Sequence, residues 1–141
     1  MARVYVASSW RNTYQPNIVD LLRMAKHKVY DFRNPPYLAG FKWSEVDPEW
    51  ATWTAEQYRD HLFSHPRAAQ GYMSDMRAME WADTCVLVLP SGRSAHLEGG
   101  WFAGRGKRLI ILTQDGEEPE LMALMANHIC VSINEVLEVL K

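Results

Sequence analysis

The segment "TCVLVLPSGRSAHLEGGWFAGRGKRLIIL", residues 84 to 112, decides the fold of this chain. It begins with an apolar run at 84–89, passes through a polar turn into a helix-like stretch at 95–106, and ends in a second apolar run at 108–112. Apolar runs with little polar alternation are typical of strands that are covered on both faces. The segment therefore predicts two parallel strands joined by a helix.

The same alternation of predicted strands and helices continues along the chain in both directions. Further apolar runs predict strands at 3–8, 28–32 and 128–133, and helix-like stretches lie at 15–26, 55–64, 67–82, 118–126 and 133–140. Repeated strand–helix units with right-handed crossovers give an α/β fold. We expect a flavodoxin-like three-layer sandwich with a five-stranded parallel sheet in the order 2-1-3-4-5.

One segment interrupts this rhythm. The chain has 141 residues, which fit a single domain spanning 1–141, but residues 34–57 carry three tryptophans and three prolines with weak periodicity. A long loop in a compact domain is usually functional or disordered, and this one is too aromatic to be disordered. Two interpretations stay open: an extra packing layer or dimer contact, and an aromatic lid that stacks on a flat ligand.

The composition excludes several classes of partner. The chain has 15 Lys+Arg against 17 Asp+Glu and no run of basic residues, so long nucleic acid is not an expected partner. No apolar run resembles a signal peptide or approaches the roughly 20 residues of a membrane helix, so no membrane partner is expected. Cys85 and Cys130 lie inside apolar runs and form no C-x-x-C motif. We expect a soluble protein of the reducing cytoplasm.

Polar residues follow the first three predicted strands. In an open parallel sheet, ligands bind beyond the carboxyl ends of the strands, where the strand order reverses. The loop "ASSWRN" at 7–12 offers hydroxyls, backbone N–H groups and a guanidinium, which are the groups that hold a phosphate, and Trp10 can stack on a base. The predicted substrate-binding residues are Ser8, Ser9, Trp10 and Arg11 after strand one, Asp31 and Arg33 after strand two, and Gly92 and Ser94 after strand three.

Glu98 has no evident structural reason for its position. If Ser94 is the N-cap of the helix at 95–106, a capping-box glutamate would stand at position 97, which is leucine. A carboxylate one turn into a helix at the carboxyl edge of a sheet can act as a nucleophile or base. The alternative is a partly solvated glutamate favoured by the helix dipole. The helical neighbours of Glu98 give it a mostly apolar setting: Ala95, Trp101, Phe102 and Arg105.

Asp75 is the second candidate carboxylate. Its helical neighbours Tyr72, Ala78 and Met79 indicate that it borders the buried face of its helix, which leads back to the third strand. Two carboxylates in one cleft are the arrangement used for glycosidic bonds, where one attacks the anomeric carbon and the other transfers protons. Asp83, at the entrance of the third strand, is expected to be structural.

Two other kinds of site are less well supported by the sequence. Ser94 follows a strand as in the nucleophile elbow of a hydrolase, but His96 replaces the second elbow glycine and His128 opens the last strand at the opposite edge. We therefore favour Ser94 as a helix cap. His61 and His65 have helical i, i+4 spacing but no third ligand beside them, so no metal site is predicted.

Three motifs together resemble the nucleoside 2-deoxyribosyltransferase superfamily. They are "SSWRN" after the first strand, "SDMRAMEWAD" before the third, and "LPSGRSAHLEGGWFAGRGK" after it. Within the superfamily, the chain is most similar to the branch that hydrolyses the N-glycosidic bond of nucleoside 5′-monophosphates. The motif-level similarity covers residues 3–12 and about 70–112.

The resemblance implies roles for individual residues. Glu98 matches the nucleophile that attacks C1′ of the sugar, and Asp75 matches the acid that assists departure of the base or the second step. Ser9 and Arg11 match the donors on the phosphate side, and Ser94 matches the turn serine of the nucleophile loop. The resemblance also implies that no cofactor is needed, and that the chain forms a homodimer or larger homo-oligomer with pockets shared between subunits.

The sequence thus predicts hydrolysis of the N-glycosidic bond of a nucleoside 5′-monophosphate or nucleoside. Three alternatives stay open: base exchange by a nucleoside 2-deoxyribosyltransferase, a non-catalytic nucleotide-sensing module, and cleavage of NAD at its nicotinamide bond. The insert at 34–57 and the pair His96 and Leu97 depart from the family pattern. Base and sugar preference therefore cannot be inferred from the motifs.

Overall fold

A computed structural model describes residues 1–141 and contains one parallel sheet of five strands in the order β2-β1-β3-β4-β5. The strands are β1 (Arg3–Ala7), β2 (Lys28–Asp31), β3 (Thr84–Val88), β4 (Arg108–Leu112) and β5 (His128–Cys130). In register, Tyr5 of β1 lies between Tyr30 of β2 and Cys85 of β3. The predicted fold class and strand order are confirmed.

The helices follow the predicted alternation with one exception. The α-helices are α1 (Gln15–Met24), α2 (Ala55–Ser64), α3 (Pro66–Trp81), α4 (Arg93–Gly104) and α5 (Ile133–Val139). The prediction of a helix at 118–126 is wrong, since this stretch forms only a short 3₁₀ helix at Leu121–Met125. Leu121 and Leu124 there are 76% and 82% exposed, so no buried stripe is present to stabilise an α-helix.

The chain divides into two compact units. The first comprises Met1–Asp31 and Met79–Lys141, and the second is Phe32–Ala78. The tryptophan-rich segment 34–57 belongs to the second unit. No helix of either unit has the length and apolar character needed to cross a membrane.

The sheet of the first unit is covered on both faces. Alternate residues of a strand point to opposite faces, so the valines beside Tyr5 point away from its ring. Those valines, Val4 and Val6, belong to the core cluster that includes residues of α1 and α5. On the other face the ring of Tyr5 packs 5.8 Å from the ring of Phe102 in α4. The first unit therefore has the predicted three layers, with α4 on the Tyr5 face.

The second unit packs around tryptophans of the predicted insert. The indole ring of Trp43 makes edge contacts with Phe41, Trp53 and Tyr58 at centroid distances of 4.9, 5.9 and 6.1 Å. Trp53 also stacks on the ring of His61 at 4.4 Å. The segment thus has an aromatic core of its own, shared with α2. A lid function remains a prediction.

Arg67, the second residue of α3, holds the start of this segment. Its guanidinium donates to Glu45 at 2.7 Å and to the carbonyl oxygen of Ala39 at 3.0 Å, and it lies over the ring of Phe41. The hydrogen bond from Arg67 is the main reason that the pKa of Glu45 is lowered. The backbone N–H of Arg67 donates to Nδ1 of His65, so this histidine caps α3.

Candidate functional site

Helix α4 begins earlier than predicted. Gly92 is the N-cap in an extended conformation, no side chain caps the helix, and Ser94 is its second residue. The prediction of Ser94 as the N-cap is therefore wrong. Nδ1 of His96 lies 2.9 Å from the carbonyl oxygen of Gly92, one turn back, and the ring therefore packs against the start of the helix. The capping-box position now falls on Ala95, so capping still does not explain Glu98.

The Glu98 carboxylate is bound to a buried tyrosine. Tyr5 is 1% exposed, and its hydroxyl donates a hydrogen bond to Oε2 of Glu98. The ring of Tyr5 is fixed by stacking on Tyr30, with centroids 5.3 Å apart and planes 13° from parallel, and by contact with Phe102. Because the tyrosine ring cannot move freely, its hydroxyl orients the carboxylate of Glu98.

Sequence reasoning missed Tyr5 as a site residue. In "RVYVAS" it appears as one more residue of a buried strand. The available signal is chemical, since a buried tyrosine hydroxyl needs a hydrogen-bond partner and the neighbouring valines offer none. The partner, 93 positions along the chain, is visible only in the tertiary structure.

The Glu98 carboxylate also acts on the central strand β3 through its charge. Burial, and after it the negative charge of Glu98, raise the pKa of the Cys85 thiol well above its ordinary value of 9.0. Cys85 is the residue of β3 that pairs with Tyr5. Glu98 thus lies half-buried in α4, bound to β1 through the Tyr5 hydroxyl, and its charge affects Cys85 of β3.

Residues 8–12, at the start of the loop after β1, comprise two buried side chains and three that are more exposed. Ser8 and Asn12 are 8% and 2% exposed, and each donates a hydrogen bond to the carbonyl oxygen of Val88. Both side chains thus donate within the protein, and substrate binding by Ser8 stays a prediction. By contrast, Trp10 is 46% exposed. The exposed and half-buried members of the predicted set in this loop are Ser9, Trp10 and Arg11.

Asp31 lies on the other side of the sheet from Glu98. It is 6% exposed, and its Oδ1 accepts a hydrogen bond of 2.8 Å from Nε2 of Gln15 in α1. The ring of the preceding residue, Tyr30, stacks on Tyr5 on the α4 face, so Asp31 points to the α1 face. The two carboxylates therefore lie on opposite faces of the sheet, and substrate binding by Asp31 stays a prediction. Sequence alone could not assign the face, because it depends on the register of β2.

Two predicted site residues belong to the second unit. Asp75 is half-buried in α3, and Arg33 is half-buried with its guanidinium 5.9 Å from the ring centroid of Phe32. Their catalytic and binding roles stay predictions. Asp83 is structural as expected, since both of its carboxylate oxygens accept the backbone N–H of Arg3, at 3.1 and 3.3 Å.

The loop and the helix that carry predicted site residues in the first unit follow neighbouring strands. The loop with Ser9, Trp10 and Arg11 follows β1, and the turn with Gly92 and Ser94 follows β3, which pairs with β1. The carboxyl ends of parallel neighbours meet at one edge of the sheet. No group of three or more His, Cys, Asp or Glu side chains is arranged to hold a metal ion.

Three solved structures share this architecture. A 2-deoxyribosyltransferase from Bacillus psychrosaccharolyticus is 18% identical with a TM-score of 0.66, over 95% of this chain and 89% of its own. A conserved protein from Enterococcus faecalis is 14% identical with a TM-score of 0.62, over 98% and 96%. A CMP N-glycosidase from Clostridium botulinum is 17% identical with a TM-score of 0.53, over 97% and 95%.

These likenesses establish the fold. No protein-family model and no curated protein matches the sequence. Two of the three neighbours are a deoxyribosyltransferase and an N-glycosidase, the two kinds of enzyme to which the sequence motifs point. At 14–18% identity the comparison does not extend to the activity of this chain.

Proposed function

We propose that the protein is an N-glycosidase that cleaves the bond between base and sugar of a nucleoside 5′-monophosphate or nucleoside, with Glu98 as the nucleophile. The observation that carries the proposal is the hydrogen bond from the buried Tyr5 hydroxyl to the Glu98 carboxylate. A solvated surface glutamate has no need of a partner that is 1% exposed. Orientation of a carboxylate by a rigid group is what nucleophilic catalysis requires.

The proposed reaction has two steps. In the first, a Glu98 oxygen bonds to C1′ while the C1′–N bond breaks, and the departing base takes its electron pair and a proton from the Asp75 carboxyl group. In the second, the Asp75 carboxylate takes a proton from water, the water oxygen bonds to C1′, and the Glu98 carboxylate is released. The products are a free base and a free sugar or sugar phosphate.

The residues after β1 and β3 are proposed to bind the rest of the substrate. Arg11 and Ser9 would hold a 5′-phosphate, together with Gly92 and Ser94 at the N-terminus of α4, where the helix dipole favours an anion. Trp10 would stack on the base, for which its exposed ring is suited. The substrate is therefore expected to be a small nucleotide or nucleoside.

The test is a chromatographic screen for base release. Purified protein is incubated with the common ribo- and deoxyribonucleosides, their 5′-monophosphates and NAD. Glu98→Gln removes the charge while its amide oxygen can still accept from Tyr5, and we expect it to reduce base release by at least about 1,000-fold. Glu80→Gln is the matched control, because Glu80 is exposed and pairs only with the exposed Arg105.

The outcomes separate the candidate functions. Base release by wild type and by the Glu80 variant, lost in Glu98→Gln, supports the proposal, and release of nicotinamide alone would favour NAD cleavage. Failure of the folded wild type to release a base from any member of the panel would overturn it and favour a binding module.

A second assay separates hydrolysis from transfer. Because one of the similar structures is a 2-deoxyribosyltransferase, a second free base is added to each reaction as a possible acceptor of the sugar. Formation of a new nucleoside would identify base exchange through the same glycosyl-enzyme intermediate. Free sugar or sugar phosphate as the only second product identifies hydrolysis.

A further inference from the structure

The side chain of Asn12 makes four hydrogen bonds within the protein. It is 2% exposed. Its Oδ1 accepts the backbone N–H groups of Tyr14 at 2.8 Å and Gln15 at 3.0 Å, at the start of α1. Its Nδ2 donates to the carbonyl oxygens of Val88 at 3.3 Å and Pro90 at 2.9 Å. Both amide hydrogens and the amide oxygen are therefore used.

These bonds join the two loops that bear the candidate site. Asn12 follows directly on Ser9, Trp10 and Arg11, and its backbone N–H donates to the carbonyl oxygen of Ser9 at 3.0 Å. Pro90 stands two residues before Gly92, the N-cap of α4. The Asn12 side chain thus spans 78 positions of sequence to hold the turn that starts the Glu98 helix.

The hydrogen bonds of Asn12 connect the β1 loop directly to the end of β3 and to the turn after it. Val88 is the last residue of β3, so the carbonyl oxygens that accept from Asn12 belong to the strand end and the turn itself. Ser8 donates to the same Val88 oxygen at 2.9 Å. A buried amide that lost these acceptors would leave donors without partners, which favours one arrangement of the two loops.

We propose that Asn12 is a positioning residue for the proposed glycosidase: it fixes the β1 loop against the β3–α4 turn and so sets the distance between the 5′ side of the substrate and Glu98. The inference rests on the proposed function. Asn12 does not touch substrate, because its donors and acceptor are bound within the protein. Its effect reaches the reaction through the position of α4, and a displacement of about 1 Å can cost about 100-fold in rate.

Two variants separate this role from simple stabilisation of α1. Asn12→Asp keeps the size of the side chain and an oxygen that accepts from Tyr14 and Gln15, but replaces the donor to Val88 and Pro90 with an oxygen. Asn12→Ala removes all four bonds without placing an oxygen against the carbonyls, and serves if the aspartate variant does not fold.

The matched control is another asparagine of the same unit. The Oδ1 of Asn127 accepts the backbone N–H of Leu109 at 2.8 Å, at the start of β4 and therefore at the edge of the sheet opposite the site. Asn127→Ala removes a hydrogen bond to the backbone and leaves both site loops untouched. It shows how much activity is lost through stability alone.

Steady-state kinetics and amide hydrogen exchange test the proposal together. We expect both Asn12 variants to reduce kcat per folded molecule by about 10- to 100-fold, and to speed exchange at residues 91–95. The Asn127 variant should keep kcat within about twofold of wild type and leave exchange at 91–95 unchanged. An Asn12 variant with the kcat of the control, or with wild-type exchange at 91–95, would overturn the proposal.

Exchange also distinguishes failure of this inference from failure of the proposed function. The exchange rates at residues 91–95 show whether the β1 loop holds the turn after β3, and they can be measured without catalytic turnover. If the wild type releases no base, the proposed function fails and the catalytic consequence of Asn12 fails with it, whatever the exchange rates. If the wild type releases base but Asn12→Asp does so equally fast, only the positioning role is overturned.

Discussion

At the scale of single residues, Tyr5 combines a packing role with a polar one. Its ring is part of the packed interior between β2 and α4, in contact with Tyr30 and Phe102. Its hydroxyl is bound to Glu98. Because the ring is held by neighbours on both sides, the hydroxyl can be removed without removing the packing.

We therefore expect Tyr5→Phe to separate catalysis from folding. The variant keeps the ring contacts, so the loss of stability should be limited to that of one hydrogen bond to a charged group, about 1.5–3 kcal/mol. By contrast, kcat should fall by about 10- to 100-fold because the carboxylate loses its orienting donor. Steady-state kinetics on the substrate found in the screen, with thermal unfolding of the same preparations, measure both effects. Tyr37→Phe is the control, since Tyr37 is 96% exposed. A Tyr5→Phe enzyme with wild-type kcat would show that the hydrogen bond has no catalytic role.

At the scale of elements, the end of α3 is stabilised by a residue from the loop before β4. The ammonium group of Lys107 donates to the carbonyl oxygens of Met79, Glu80 and Ala82 at 2.9, 2.7 and 2.6 Å. The last carbonyls of a helix have no partners within the helix, and a cation there also interacts favourably with the helix dipole. Lys107 thus serves as a C-terminal cap supplied from elsewhere in the fold.

Lys107→Met should lower the free energy of unfolding by about 1.5–3 kcal/mol, the range for hydrogen bonds to a charged group. Urea denaturation measures this loss. Arg105→Met is a close control, because Arg105 and Lys107 both lie over the ring of Trp101. The side-chain hydrogen bond of Arg105 is an exposed ion pair with Glu80. Such a pair contributes about 0–1 kcal/mol. Equal losses in the two variants would contradict the capping role.

At the scale of the whole molecule, a histidine couples stability to pH. The backbone N–H of Ala2 donates to Nδ1 of His27 at 3.0 Å, so the native structure needs this nitrogen unprotonated. Burial and then the positive charge of the N-terminus lower the pKa of His27 below its ordinary value of 6.5, while Asp83 acts in the opposite sense. The unfolded chain therefore binds a proton at His27 more readily than the native chain.

The sign of the effect follows from this difference. The contribution of His27 to stability is fully present above pH 6.5 and is lost as the pH falls from there through the lowered pKa. Urea midpoints of the wild type should fall over this range, and those of His27→Gln, whose amide oxygen can accept from Ala2, should fall less. His128→Gln, at an exposed position of β5, should follow the wild type. Identical pH dependence in the wild type and His27→Gln would refute the linkage.

A second loss of stability is expected in more acidic solution. It concerns the second unit, Phe32–Ala78. The pKa values of Glu45 and Asp47 are lowered, by a side-chain hydrogen bond from Arg67 and a backbone hydrogen bond from Glu49 respectively. A carboxyl group with a lowered pKa stabilises the folded state at pH values above its ordinary pKa, which is 4.5 for Glu45 and 3.8 for Asp47. This stabilisation is lost as the pH falls below that value through the lowered pKa. The His27 effect therefore begins at a higher pH.

The α/β class and the central strand–helix–strand unit were predictable because they depend on local pattern, and the strand order followed from the preferred topologies of parallel sheets. Uninterrupted apolar runs at 84–89 and 108–112 and the helix between them are short-range signals that any parallel sheet must show. The same kind of signal failed at 118–126, where apolar residues recur but remain exposed. Periodicity indicates which face could be buried, whereas packing decides whether it is.

The sequence by itself determined the α/β fold, the loops at the carboxyl ends of the strands, and Glu98 as a carboxylate without a structural reason for its place. Only the tertiary structure decided that Tyr5 meets Glu98, that Asn12 holds Pro90, and that Asp31 faces α1. These pairings depend on strand register and on the rotation of α4 and α1 about their axes. Asn12 and Pro90 are 78 positions apart, and Tyr5 and Glu98 are 93 apart. A local sequence pattern indicates which residues are buried but not which distant residue each one contacts.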